Sequence, residues 1–111
     1  MRSVVYVTND AKGFSLLVRS VNGQLRVCRA QTAAAACKAA SCGQFDALFF
    51  DPVLRCANAK HLLTHLASIP NRPPIFIVSR ECWLLFARFA VNLGIGGYYV
   101  LAGDINRLLA D

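Results

Sequence analysis

An open α/β fold, with a parallel sheet covered on both faces by helices, is what this sequence predicts. Three observations carry that expectation. Short runs of β-branched and aromatic residues recur along the 111 residues, and helical periodicity fills the intervals between them. Gly, Asn or Pro punctuates the junctions. Alternation of buried strands with helices implies βαβ units.

Ser3–Thr8, with Val4, Val5, Tyr6 and Val7, reads as a first strand buried on both faces. Asp10 can cap a helix whose Phe14, Leu17, Val18 and Val21 follow i, i+3, i+4, i+7, and Asn22-Gly23 ends it. Leu25–Cys28 is a short second strand. Thr32 can cap an alanine-rich helix, Ala33–Ser41, that stops near Gly43. Ala47–Phe50 is a fully apolar third strand between Asp46 and Asp51-Pro52. A third helix over about Asn58–Ala67 places Ala59, Leu62, Leu63 and Leu66 on one face. The segment from Ile69 to Pro73 is a rigid connection, because proline cannot continue a helix. Pro74–Ser79 is a fourth strand, Glu81–Leu93 a fourth helix ended by Gly94, Tyr98–Leu101 a fifth strand and Asp104–Ala110 a fifth helix. Right-handed crossovers then favour a doubly wound sheet, and the chain's size a flavodoxin-like (βα)5 sandwich of strand order 2-1-3-4-5. In such a sheet the functional crevice lies beyond the carboxyl ends of the strands. Those ends carry Thr8, Asn9, Asp10, Asp51, Ser79, Arg80, Leu101 and Ala102.

Bulk composition bounds the class. The length holds one domain and one core. Hydrophobic residues make up 56% and charged ones only 16%, so the apolar excess needs a two-sided core, an interface or a membrane. Arg88 and Asn92 break the longest apolar runs, well short of the roughly 20 residues of a span. Val4–Val7 is too short for the apolar core of a secretory signal. The five cysteines (Cys28, Cys37, Cys42, Cys56, Cys82) form no Cys-x-x-Cys, and their odd number and apolar settings read as reduced, buried thiols in a cytoplasmic protein. His61 and His65 are four apart on a helix but lack a third ligand, so they read as surface residues rather than a metal site. Gly94-x-Gly-Gly precedes a strand and reads as a turn, not a dinucleotide loop. The net charge of +6 is spread from Arg2 to Arg107 without a cluster, which argues against direct nucleic-acid binding and signals a shortage of acids.

Three segments that reach the strand ends, Asp46–Asp51, Pro74–Ser79 and Gly94–Leu101, together resemble the receiver domain of bacterial response regulators. Asp46-Ala-Leu-Phe-Phe-Asp51 is similar to the motif whose closing aspartate is the phosphoacceptor. Pro74-Ile-Phe-Ile-Val-Ser79 resembles the strand ending in the switch hydroxyl, and Gly94 to Leu101 the segment with the switch aromatic, Tyr98, and then the lysine. The likeness spans essentially the whole chain and implies the same fold.

The departures imply a degenerate, or pseudo-, receiver. Where the family places paired acids that hold a divalent cation, this chain has Thr8 and Asn9, with Asp10 just beyond. The lysine position is Leu101, the proline after it is Ala102, and Arg80 follows the switch hydroxyl. Mg²⁺ demands anionic oxygens, and an acyl phosphate wants a neighbouring cation. The expectation is therefore a non-enzymatic regulatory module with no cofactor, acting by protein–protein contact. Arg80 is expected to neutralise Asp51 directly, and without a phosphoryl group Ser79 and Tyr98 are expected to be ordinary packing residues. Apolar residues fill most of the fourth helix's circumference, more than the stripe of about 100° that covering a sheet requires. Trp83, Phe86 and Ala90, flanked by Tyr99 and the fifth helix (Leu108, Leu109), are thus expected to form a homodimer face, the one receivers commonly use. The chain reads as the N-terminal part of a longer protein carrying an effector domain, as in transcription regulators or pilus-assembly proteins. Two alternatives stand beside this one. One is a true receiver, phosphorylated on Asp51 by a histidine kinase with Mg²⁺ and Asp10 as metal ligand. The other is a small-ligand or nucleotide sensor using the same crevice.

Overall fold

The computed structural model describes residues 2–21, 23–54, 58–80, 84–95 and 97–101. Five strands and four helices alternate: β1 (Arg2–Val7), α1 (Ala11–Val21), β2 (Leu25–Ala30), α2 (Ala33–Ser41), β3 (Ala47–Phe50), α3 (Ala59–Ser68), β4 (Ile75–Ser79), α4 (Leu84–Asn92) and β5 (Tyr98–Val100). All strand pairs are parallel, and the order is β2-β1-β3-β4-β5, the doubly wound arrangement expected. The expected fifth helix, with Leu108 and Leu109, lies outside the described residues, as do Glu81–Trp83, Ala102, Cys56 and Cys82.

Local chemistry explains the boundaries. Thr32 and Asn58 cap α2 and α3, their side-chain oxygens accepting the N–H groups of Ala35 and His61. The Asp10 carbonyl accepts the Phe14 N–H, which opens α1. At the far end of α3, Asn71 takes φ 58°, and the Arg72 guanidinium closes the helix by donating to the Ala67 and Pro73 carbonyls. Asp46 fixes the start of β3: its carboxylate accepts the Ser3 N–H at 2.8 Å, and its own N–H donates to the Ser3 carbonyl at 2.7 Å.

Strand alternation divides the core into two clusters. One joins Val5, Val7, Leu48, Phe50, Ile75 and Ile77 with the inner faces of α2, α3 and α4. The other joins Val4, Tyr6, Phe49, Val78, Tyr99 and Leu101 with Leu17 and Val21 of α1. Buried on both faces, β1, β3 and β4 read as continuous apolar runs. The edge strand β2 instead alternates, exposing Arg26 and Cys28.

Two sequence expectations are corrected here. Phe86, Ala90 and Tyr99, expected on a dimer face, are 5%, 3% and 5% exposed. Phe86 stacks on Phe50 at 6.2 Å with the rings 9° apart and touches Phe89, over which Lys60 of α3 places its ammonium at 5.4 Å. The surplus apolar surface of α4 is thus absorbed by aromatic stacking and by cover from α3, and Val91 is its one strongly exposed apolar residue among those described. Tyr99 belongs to the opposite sheet face, against Phe76, because neighbours on a strand point to opposite sides. Trp83 lies outside the described residues. The second correction concerns the thiols: Cys28 and Cys42 are exposed and Cys37 half-buried, all three free. Alanines on α2 are too small to cover the β2 edge, which leaves a groove beside Cys28, Lys38, Cys42 and Phe45.

Candidate functional site

β1, β3 and β4 deliver their last residues to one end of the sheet, where a crevice of about 380 Å³ opens between Asn9, Asp10, Ala11, Lys12, Val53 and Arg80. Beneath it lie Thr8, Asp51 and Ser79, buried polar residues that continue the three central strands.

Asp51 is 3% exposed, and each of its carboxylate oxygens accepts a hydrogen bond. Thr8 Oγ1 donates to Oδ2 at 2.6 Å, and the Val53 N–H donates to Oδ1 at 2.9 Å. Thr8 Oγ1 accepts in turn from the Asp10 N–H at 3.0 Å. A hydroxyl can donate once and still accept, so Thr8 serves both neighbours at once. Burial nevertheless dominates and pushes the Asp51 carboxyl above the usual carboxylate range, against the opposing pull of the Thr8 and Val53 hydrogen bonds.

Asp10 engages its carboxylate with another partner. Oδ2 accepts from Arg80 Nε at 2.6 Å, the one ion pair among the described residues. Gly13, buried in the first turn of α1, makes that possible. A Cβ at this position would lie 2.6 Å from Asp10 Oδ2, so a side chain would evict the carboxylate. The expected Asp51–Arg80 pair is therefore corrected. Arg80 binds Asp10, and the donor that satisfies Asp51 is the Thr8 hydroxyl.

The remaining candidates fall into place around this centre. Asn9 Nδ2 donates to the Gln31 carbonyl at 2.8 Å, tying the end of β1 to the β2–α2 junction. Ser79 is 2% exposed, and its carbonyl accepts the Leu101 N–H. Tyr98 is half-buried against the α4-side core. Leu101, at the lysine position, is sunk in the α1-side core. Below, the Tyr6 hydroxyl donates to the Val78 carbonyl, and burial raises its pKa strongly.

Three participants escaped the sequence reading. Lys12 lines the crevice, Gly13 admits the Asp10 carboxylate, and Arg29 donates from Nε to the Thr8 carbonyl at 3.3 Å while its guanidinium lies over Phe14. Lys12 carried a legible signal, since a residue two beyond the Asp10 cap must sit on the rim. Arg29 did not, because a strand two residues longer than expected decides where it points.

No protein-family model and no curated protein sequence matches the chain. Solved structures do. A response regulator protein from Burkholderia pseudomallei, with a phosphorylated aspartic acid, calcium ion and citrate, superposes with a TM-score of 0.80 at 18% identity, over 99% of this chain and 65% of that one. A response regulator from Hahella chejuensis gives 0.80 at 15% identity, over 99% and 93%. A CheY-like receiver domain protein from Methanospirillum hungatei gives 0.77 at 18%, over 99% and 89%. At such identities the likeness is one of fold, and on that evidence this chain folds as the receiver domains of response regulators do.

Proposed function

We propose that this chain is a regulatory signal-transduction module, a receiver-type domain that acts through protein–protein contact and does not run on aspartyl phosphorylation. The observation that carries this reading is the closed state of Asp51: buried, with one oxygen held by Thr8 and the other by Val53. An acceptor aspartate must present an ionised oxygen to the phosphorus, with a cation to offset the gathering charge. Here the carboxylate is internally satisfied, its ionised form is disfavoured by burial, and the lysine position is a core leucine.

The donor set does not fit Mg²⁺ either. A hard ion needs several anionic oxygens in near-octahedral array. Of the candidate ligands, Asp10 is clamped by Arg80, Thr8 is engaged on both sides and Asn9 reaches toward Gln31. No step of the function is therefore routed through a metal. The closed state of Asp51 supports reading the module as non-enzymatic. Its partner is an effector, attached or separate, and its compartment the cytoplasm, where exposed thiols such as Cys28 and Cys42 stay reduced.

The test is exposure to acetyl phosphate and Mg²⁺ followed by intact-mass measurement. The reading expects no phosphoryl adduct. An adduct on Asp51 would establish instead the rival, a working receiver fed by a histidine kinase.

A further inference from the structure

The crevice has changed sign. In a metal-dependent pocket of this shape the strand ends must supply net negative charge. Here Asp51 is roofed by Thr8, and Asp10 is the one acid among the described residues of the rim. Against it stand two cations, Lys12 and Arg80, so the described lining carries a net positive charge. Among the described acids only Asp10 pairs with Arg80, through Nε alone, and none pairs with Lys12. Half of the Arg80 side chain remains exposed (49%). A guanidinium presents five N–H donors in a fixed fork, so one bond to Asp10 leaves the Nη edge able to take an oxyanion. The first turn of α1 contributes Ala11 and Lys12 to the same lining, with the positive end of the helix toward the crevice.

We propose that this crevice is a metal-independent binding site for a small oxyanion, the phosphate group of a phosphorylated small molecule, held by Lys12 and the free edge of Arg80. The volume of about 380 Å³ falls at the lower end of small-molecule pockets, room for a phosphate with a modest organic substituent. The Asp10–Arg80 pair holds the guanidinium in place, so the ligand would bridge the start of α1 and the end of β4. This inference rests on the reading that Asp51 is closed to phosphorylation and metal, and it extends that reading by naming what the altered pocket takes.

The experiment uses inorganic phosphate and adenosine monophosphate as probes, at constant ionic strength and with EDTA present. Thermal shift and amide-resonance titration are the readouts. Expected are a saturable rise in melting temperature and shifts confined to residues 9–13, 53 and 79–80. Lys12→Glu should weaken binding by at least about tenfold, the scale of one lost charge-assisted contact. Arg19→Glu, which makes the same charge change farther along α1 outside the crevice, should bind as the parent does. Equal weakening in both variants, or no saturable response to either probe, overturns the proposal while leaving the closed Asp51 intact. Binding that appears only when EDTA is replaced by Mg²⁺ would instead defeat the reading of the pocket as metal-free, and this proposal with it.

Discussion

Thr8 is the residue on which the site turns. Its hydroxyl stands where an acid would belong in a metal-binding pocket, and it converts Asp51 from a prospective ligand into an internal hydrogen-bond acceptor. Thr8→Val keeps the shape but leaves Asp51 Oδ2 without its donor and the Asp10 N–H without its acceptor. The expected loss, read by urea denaturation, is about 1–3 kcal/mol. Asp51 itself is a stability liability at neutral pH. Its folded pKa is raised, so between the unfolded value near 3.9 and the folded one the native state binds the proton more tightly. Stability from this group therefore falls as pH rises through that window. Asp51→Asn should melt higher than the parent at pH 7, and the difference should shrink toward zero as pH approaches about 4. A parent that is the more stable at pH 7 would show that the two hydrogen bonds outweigh burial. At this scale the sequence was half legible. Residue types at the strand ends announced a pocket poor in acid, but which donor Asp51 would choose depended on Gly13 making room for Asp10. A glycine in the first turn of a helix gives no hint of that in the sequence.

Elements built from one continuous apolar run were legible almost to the residue, and those whose surroundings decide burial were not. α2 and β3 carry the boundaries expected, because Thr32 and the Asp46 and Asp51-Pro52 flanks mark them chemically. β2 runs two residues longer than expected, since pairing with β1 extends as far as Val7↔Ala30 whatever the polarity of Arg29. α4 misled most. Its apolar circumference suggested an exposed face, yet Phe86 stacks on Phe50 and Phe89 is covered from α3. Helix periodicity counts apolar residues but cannot say how many neighbours surround a helix. The consequence is sharp for mutagenesis. Phe86→Asp should cost at least about 3–5 kcal/mol, the scale of losing a buried aromatic, with an unpaired buried charge besides. Circular dichroism should show loss of the fold. Val91→Asp, five residues on and 71% exposed, should leave it unchanged within about 0.5 kcal/mol.

Across the whole molecule, the sheet gathers three buried polar strand ends under a crevice whose described lining carries a net positive charge, while none of the described cations outside it pairs with a described acid. Alternation and handedness pointed to a doubly wound sheet and chain length to its strand order, so the place of the site was readable from sequence. Its closed chemistry was not, because hydrogen-bond choice is a property of packed side chains. Described helices are none of them long and apolar enough to cross a membrane. On the proposed reading, a receiver-like fold without the acid pair and the lysine signals by contact and gives up the phosphorylation switch. The most direct measurement is an amide NMR titration with beryllofluoride and Mg²⁺, an aspartyl-phosphate mimic that needs both the acceptor oxygen and the cation. The account predicts that resonances of residues 8–10, 51–53 and 79–80 stay where they are. Saturable shifts at Asp51 and Ser79 that require Mg²⁺ would contradict it.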